Sequence, residues 1–136
     1  MSGYYRRKAN IIIKFALLVA IEDIMKRNVV ASFTWLPEGF DKDNQPVRFK
    51  FGGSQCTLDG VGCPNLEHGI LPLKFTSKSS GKTYDCNLKA SSIHINTLEK
   101  IAKEVYDTLC DPDVDEEWEV YRKQLVSDYL DTHIEP

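Results

Sequence analysis

Cysteine and histidine are scarce in this sequence of 136 residues, which has four of the first and three of the second. The cysteines, Cys56, Cys63, Cys86 and Cys110, are too few and too unevenly spaced for a small scaffold held together by disulfides. Disulfides of that kind are typical of secreted proteins. We therefore predict free thiols in a reducing compartment, and a cytoplasmic protein.

Long hydrophobic runs are also lacking. The most apolar stretch covers residues 11–21, and Lys14 interrupts it. A helix needs about 20 apolar residues to cross a bilayer, so we predict no membrane-spanning segment. The stretch has neither glycine nor proline and is apolar on nearly every side, which predicts a helix over residues 5–27. One sheet covers only one side of such a helix, so we expect a second subunit to cover another, in a homodimer through residues 5–27.

The sequence contains no intact motif for catalysis or phosphate binding. Ser80, Gly81, Lys82 and Thr83 resemble the end of a phosphate-binding loop, but Thr76 stands where that loop requires its first glycine. Strand-like alternation lies on both sides, which predicts a hairpin turn instead. We therefore predict a protein that is not an enzyme and has no cofactor. A catalytic site whose residues meet only in space remains a third alternative.

Residue types that bind metal ions do not occur at the spacing of known sites. Cysteine and histidine are the ligands that zinc prefers, and the loop-rich part of the sequence and its flank contain four of them: Cys56, Cys63, His68 and Cys86. However, ligands in structural zinc sites usually lie two to four residues apart, whereas six residues separate the first two cysteines. We predict no metal site, and the sequence leaves open whether these four side chains converge.

The overall composition is typical of one folded domain. Hydrophobic residues make up 42% of the chain and charged residues 27%, which is close to the globular average. Domains usually contain about 100–200 residues. We predict a single α+β domain over residues 1–136.

Alternation of apolar and polar residues predicts four strands. Residues 29–35 and 47–51 alternate and are typical of an antiparallel hairpin with a long loop. Residues 71–78 and 84–90 predict a second hairpin. The intervening residues 52–69 contain five glycines and are predicted to be a loop. The expected architecture is α+β, with a four-stranded, mainly antiparallel sheet, one N-terminal helix and two C-terminal helices.

The two C-terminal helices follow from capping and periodicity. Asn96 is the predicted N-cap, and five apolar residues then share one helical face: Leu98, Ile101, Ala102, Val105 and Leu109. Pro112 should end this helix and begin the last one, because proline is tolerated in the first turn of a helix but not in its interior.

Charge is distributed unevenly along the chain, although the net charge is only −3. Residues 1–103 carry 15 basic and 9 acidic side chains, whereas residues 104–136 carry 2 basic and 11 acidic ones. An acidic, amphipathic last helix suits docking on a basic protein surface. Our leading hypothesis is a non-enzymatic protein-binding factor, such as a small inhibitor or adaptor. The predicted contact residues are Asp113, Asp115, Glu116, Glu117 and Glu119.

The alternative hypothesis is a nucleic-acid-binding protein that uses a basic face of the sheet. Strand alternation assigns five cations to the face opposite the core, namely Arg48, Lys50, Lys74, Lys78 and Lys89. Proteins that bind single strands on a sheet usually expose aromatic rings there. In this sequence the strand aromatics share the phase of the aliphatic residues, so we predict that they are buried: Phe33, Trp35, Phe49, Phe51, Phe75 and Tyr84.

Overall fold

The computed structural model describes residues 3–30, 32–36, 48–110 and 118–133. Over these residues, three α-helices accompany a mainly antiparallel sheet of five strands, which confirms the predicted α+β class and helix order. The elements in chain order are α1 (Gly3–Arg27), β1 (Phe33–Trp35), β2 (Arg48–Phe51), β3 (Ser54–Gly62), β4 (Ile70–Ser77), β5 (Thr83–Lys89), a short 3-10 helix (Ala90–Ser92), α2 (Ile95–Leu109) and α3 (Trp118–His133).

The third strand is the centre of the sheet, although the sequence predicted a loop there. Cys56 and Leu58 are buried on one face of β3, and the register then shifts between Leu58 and Gly60. This β-bulge returns Val61 to the buried face. Because the bulge breaks the period of two, and because glycine usually weakens strands, the pattern of β3 was not recognisable from the sequence.

The first predicted hairpin is wrong, because β1 and β2 do not pair with each other along their described residues. Both pair antiparallel with β3, at different positions along it. Phe33 lies opposite Gly62 near the end of β3, whereas Phe51 lies opposite Ser54 at its beginning. The two short strands therefore share one edge of β3, and β4 occupies the other edge.

The second predicted hairpin is confirmed. Strands β4 and β5 pair over their whole length, with Phe75 opposite Tyr84. The backbone N–H of Ser77 donates to the carbonyl of Lys82 at 3.0 Å, and Gly81 has a φ of 70°. The sequence that resembles a phosphate-binding loop is thus the turn of a hairpin, in which glycine supplies the left-handed conformation.

Helix α1 is buried on several sides within one chain. It packs against α2 and α3, and it shares one hydrophobic core with the inner positions of the sheet. Its fully buried residues are Ala16, Leu17, Leu18, Ala20, Ile21, Ile24 and Met25. Over residues 16–25 the chain itself covers the faces that a second subunit was expected to cover, so these faces do not favour the predicted homodimer through residues 5–27.

Helix α2 has the predicted apolar face but begins two residues earlier than a cap at Asn96 requires. Its N-cap is His94, whose side-chain Nδ1 accepts the backbone N–H of Asn96 at 3.1 Å. The predicted start of the last helix at Pro112 lies outside the described residues. No helix in the described ranges is long and apolar enough to cross a bilayer.

Helix α3 is held against α1 by a polar contact. The hydroxyl of Tyr121 donates to the carboxylate of Asp23 at 3.0 Å, and the guanidinium of Arg27 pairs with the same carboxylate at 3.0 Å. Burial, followed by the hydrogen bond to Asp23, raises the pKa of Tyr121 to about 12. Tyr121 also packs against the rings of Tyr106 and Trp118. Together these contacts fix how α3 lies on the core.

The C-terminal end of α1 contains an unfavourable residue. Val29 has a φ of 56° and is 89% exposed, and its N–H donates to the carbonyl of Lys26 at 3.1 Å. The next N–H, of Val30, donates to the carbonyl of Met25 at 2.9 Å. This is the bonding pattern of a Schellman cap, whose left-handed position usually holds glycine.

We expect Val29→Gly to raise the free energy of unfolding by about 0.5–1 kcal/mol, because it removes the left-handed strain of a β-branched residue. The exposed valine side chain contributes little packing that could be lost. Urea denaturation followed by circular dichroism measures the change, with Val29→Ala as the control that keeps a Cβ atom. A glycine variant less stable than the wild type would contradict the prediction.

Candidate functional site

The sheet has an inner face toward the helices and an outer face on the opposite side. Along β4, buried residues alternate with half-buried ones from Leu71 to Ser77, and the buried set defines the inner face. Residues directly opposite one another on antiparallel strands share a face. The register therefore places Arg48, Thr57 and Thr76 in one row across the outer face.

All five predicted cations lie on the outer face. Arg48, Lys50, Lys78 and Lys89 are exposed, and Lys74 is partly covered, with 24% of its side chain accessible. The described strands also place two acids among the outer positions. Asp59 accepts the hydroxyl of Thr76 at 2.5 Å, and Asp85 lies 3.6 Å from the Lys74 ammonium. Cations thus outnumber acids on this face, although the whole chain is negative.

Two aromatic residues also lie on the outer face, which overturns their predicted burial. In β1 the buried residue is Thr34, followed by Leu36 just after the strand. Phe33 and Trp35 project to the other side, and Trp35 is 61% exposed. The amphipathic pattern of β1 is therefore reversed relative to the sequence prediction.

The reversal is possible because glycines lie beneath the two rings. Phe33 is opposite Gly62, and Trp35 is opposite Gly60. A Cβ atom added to Gly60 would lie 3.3 Å from the Trp35 ring, and one added to Gly62 would lie 3.1 Å from the Phe33 ring. The rings thus pack directly on the β3 backbone. Two glycines in strand β3, two positions apart, were the sequence signal for this arrangement.

Lys74 joins the two rings into one cluster. Its ammonium nitrogen lies 4.7 Å from the ring centroid of Trp35 and 5.0 Å from that of Phe33. These distances are within the range of cation–π attraction. We call Phe33, Trp35 and Lys74 the aromatic platform. It combines an exposed π surface with a positive charge at the middle of the outer face.

The other strand aromatics lie on the inner face, with mixed burial. Phe75 is buried as predicted, and Phe49 is partly buried and packs edge-to-face on it at 5.3 Å. Phe51 and Tyr84 are 41% and 43% exposed, which the sequence did not predict. Both are near the end of the sheet where β2 and β3, and β4 and β5, are joined by turns.

The structure does not assemble the predicted cysteine and histidine residues into a metal site. Among the described residues, no group of three or more His, Cys, Asp or Glu side chains could hold an ion. Cys56 is buried, Cys63 and Cys86 are partly buried, and His68 is exposed. Burial raises the pKa of the Cys56 and Cys63 thiols, which disfavours the reactive thiolate.

The predicted acidic docking surface lies largely beyond the described ranges. Asp113, Asp115, Glu116 and Glu117 fall in residues 111–117, outside the described residues. Glu119 is exposed in the first turn of α3, beside the exposed Val120.

Comparison with other proteins gives no relative from which a function could be transferred. No protein-family model, curated protein or solved structure matches this chain.

Proposed function

We propose that this protein binds single-stranded nucleic acid on the outer face of its sheet. The observation that supports the proposal is the aromatic platform, in which an exposed Trp35 lies beside Lys74 on a face rich in cations. Stacking of one base on an aromatic side chain contributes about 1–3 kcal/mol and does not depend on sequence. Lysine and arginine on both sides of the platform would neutralise the phosphates.

The geometry favours a single strand over a duplex. Bases within a duplex are stacked on each other and cannot reach a tryptophan ring, whereas the bases of a single strand can be splayed out. Lys89 pairs with the beginning of β4 and Lys78 follows its end, so about 26 Å separate them at roughly 3.3 Å per residue. Lys74 lies between these two cations along the strand direction, and the Phe33 and Trp35 rings reach it from the edge strand β1. A segment of about four nucleotides, the lower limit for sheet-based sites, would cover this length.

The composition of the face also favours nucleic acid over protein as the ligand. The cores of protein interfaces are depleted in charge and enriched in apolar contacts. Here, the exposed tryptophan lies at the edge of a sheet whose other outward positions are mainly lysine, arginine, threonine and amide residues. Such a surface is hydrated and positive, as are surfaces that follow a phosphate backbone.

The test uses fluorescence anisotropy with labelled single-stranded DNA and RNA, and with the corresponding duplexes. Trp35→Ala should weaken single-strand binding by about 10- to 100-fold, which corresponds to the loss of one stacked base. Trp35→Phe, which keeps a ring, should retain most of the affinity. Trp118→Phe is the matched control, because Trp118 is buried against Tyr106.

The same titration gives an independent optical readout. The chain has two tryptophans, and Trp118 is buried, so quenching of intrinsic fluorescence by a stacked base should come from Trp35. Quenching should persist in Trp118→Phe and vanish in Trp35→Ala. An equal affinity of wild type and Trp35→Ala for every single strand, or no binding at all, would refute the proposal.

The protein-binding factor with an acidic docking surface is our second candidate. The observation that favours it is the pair of exposed residues Glu119 and Val120 at the beginning of α3, where an acid adjoins an apolar side chain. A pull-down from nuclease-treated and untreated extract separates the two candidates, because only nucleic-acid-dependent capture is lost on nuclease treatment. Protein capture that resists nuclease and is lost when Asp115, Glu116 and Glu119 are changed to Asn or Gln would favour this candidate.

A further inference from the structure

A cavity of about 520 Å³ opens at the rim of the sheet, between β2, the end of β5 and the beginning of α2. Its apolar wall includes the rings of Phe49 and Phe51 and the side chain of Leu88. The volume lies in the range of sites for small molecules, which are mostly apolar with a few polar groups. The cavity can therefore accept a flat ring against its aromatic wall.

The polar part of the lining combines two cations with hydroxyl, amide and imidazole groups. Arg48 and Lys50 alternate with the two rings along the edge strand β2, Ser92 ends the 3-10 helix, and His94 is the N-cap of α2. His94 uses Nδ1 to accept the N–H of Asn96, so a neutral imidazole carries its proton on Nε2 and can donate it. None of the described residues that line the cavity is acidic. Its charge is thus complementary to an anion.

We propose that this cavity binds a nucleoside phosphate. The base would lie against Phe49 and Phe51, the phosphate near Arg48 and Lys50, and the edge of the base within reach of His94. This ligand class combines an aromatic ring with an anionic group, and the lining combines aromatic rings with cations. The ligand has two possible sources: a free mononucleotide, or the terminal nucleotide of a strand bound on the outer face. Only the second source rests on the proposed function, which it deepens.

The first experiment is calorimetric titration of the full chain with adenosine and uridine monophosphates. Adenosine and inorganic phosphate, each supplying half of the ligand, are titrated separately. A nucleoside monophosphate should bind at least about tenfold more tightly than either half, a difference of about 1.4 kcal/mol. If inorganic phosphate binds as tightly as the monophosphate, the surface is a general anion site and the proposal is overturned.

Ser92→Glu tests the location of the site. It adds a carboxylate to the lining, which should weaken monophosphate binding by about tenfold through repulsion. An acid near the N-terminal end of α2 interacts favourably with the helix dipole, so the variant should remain folded. Ser127→Glu, on an exposed part of α3, is the matched control and should bind like the wild type. Equal monophosphate affinity of Ser92→Glu and wild type would place the ligand elsewhere and overturn the proposal.

The two sources are distinguished with linear and circular single strands of the same sequence. If the cavity holds a strand end, the linear form should bind more tightly, and Ser92→Glu should abolish the difference. Monophosphate binding without such a difference identifies the free nucleotide as the ligand. If the monophosphates do not bind and linear and circular strands bind equally, the proposal is overturned.

Failure of the cavity proposal and failure of the outer-face proposal give different results. Trp35→Ala should leave monophosphate binding unchanged, because Trp35 does not line the cavity. Ser92→Glu should leave the binding of circular strands unchanged, because a circle has no end to insert. Loss of strand binding in Trp35→Ala with intact monophosphate binding is the pattern that supports both.

Discussion

Replacing Gly62 by valine should lower the free energy of unfolding by about 3 kcal/mol, the upper end of the cost of overpacking. A Cβ atom at this position would lie 2.8 Å from the Cβ of Pro72 and 3.1 Å from the ring of Phe33. The proline ring is tied to its own backbone and cannot rotate away, so strands β3 and β4 would have to separate. Urea denaturation measures the effect.

Asn87→Val is the matched control for this substitution. Asn87 lies opposite Pro72 in the same row of the outer face and is exposed, so valine meets no obstruction there. Because valine favours strands, this control should be neutral or slightly stabilising. Gly60→Ala should be milder, since its nearest contacts, with Thr34 and Trp35, would be at 3.2 and 3.3 Å. If Gly62→Val is as stable as Asn87→Val, the close packing of Phe33 on β3 is wrong.

The elements that could be predicted from the sequence are those with regular local patterns. Helix α2 repeats its apolar residues with helical spacing, and the hairpin of β4 and β5 alternates across a short turn. Their signals lie within a few residues of each other along the chain. The bulge near Asp59 interrupts such a signal in β3, so the sequence predicts a loop where the central strand of the sheet lies.

The orientation of Phe33 and Trp35 depends on contacts distant in sequence. Hydrophobicity alone would place both rings in the core. They face outward because Gly60 and Gly62 leave room for them on the β3 backbone and Lys74 packs against both. The sequence of β1 contains none of these partners, so the cations of the candidate site could be predicted and its aromatic platform could not.

Helix α1 illustrates the same limit for packing. Its apolar circumference indicated that several faces needed cover, which is correct. Which surface supplies the cover depends on where α2 and α3 lie, and the contact of Tyr121 with Asp23 and Arg27 fixes α3 against α1. That contact joins residues 98 positions apart, so no local pattern could reveal it.

Reversing two cations of the outer face should reduce single-strand affinity by about 100-fold at low salt and also change its salt dependence. Lys78→Glu with Lys89→Glu removes charges at both ends of β4 without touching the platform or the lining of the cavity near α2. Each phosphate contact of a single strand contributes about −0.7 to the slope of log affinity against log salt concentration. The double variant should therefore have a slope less negative by about 1.4 than the wild type.

The control for charge reversal changes the net charge equally but away from the sheet. Lys100 is exposed on α2 and Lys123 on α3, so Lys100→Glu with Lys123→Glu makes the net charge more negative by the same four units. If general repulsion of the strand were responsible, both doubles would weaken binding to the same extent. If the outer face contacts the phosphates, only the double variant of Lys78 and Lys89 should have a less negative slope of log affinity against log salt concentration. Counterions are released only where phosphates are neutralised. Identical slopes for the two double variants would show that the outer face does not contact the phosphates. They would contradict the proposed path of the strand.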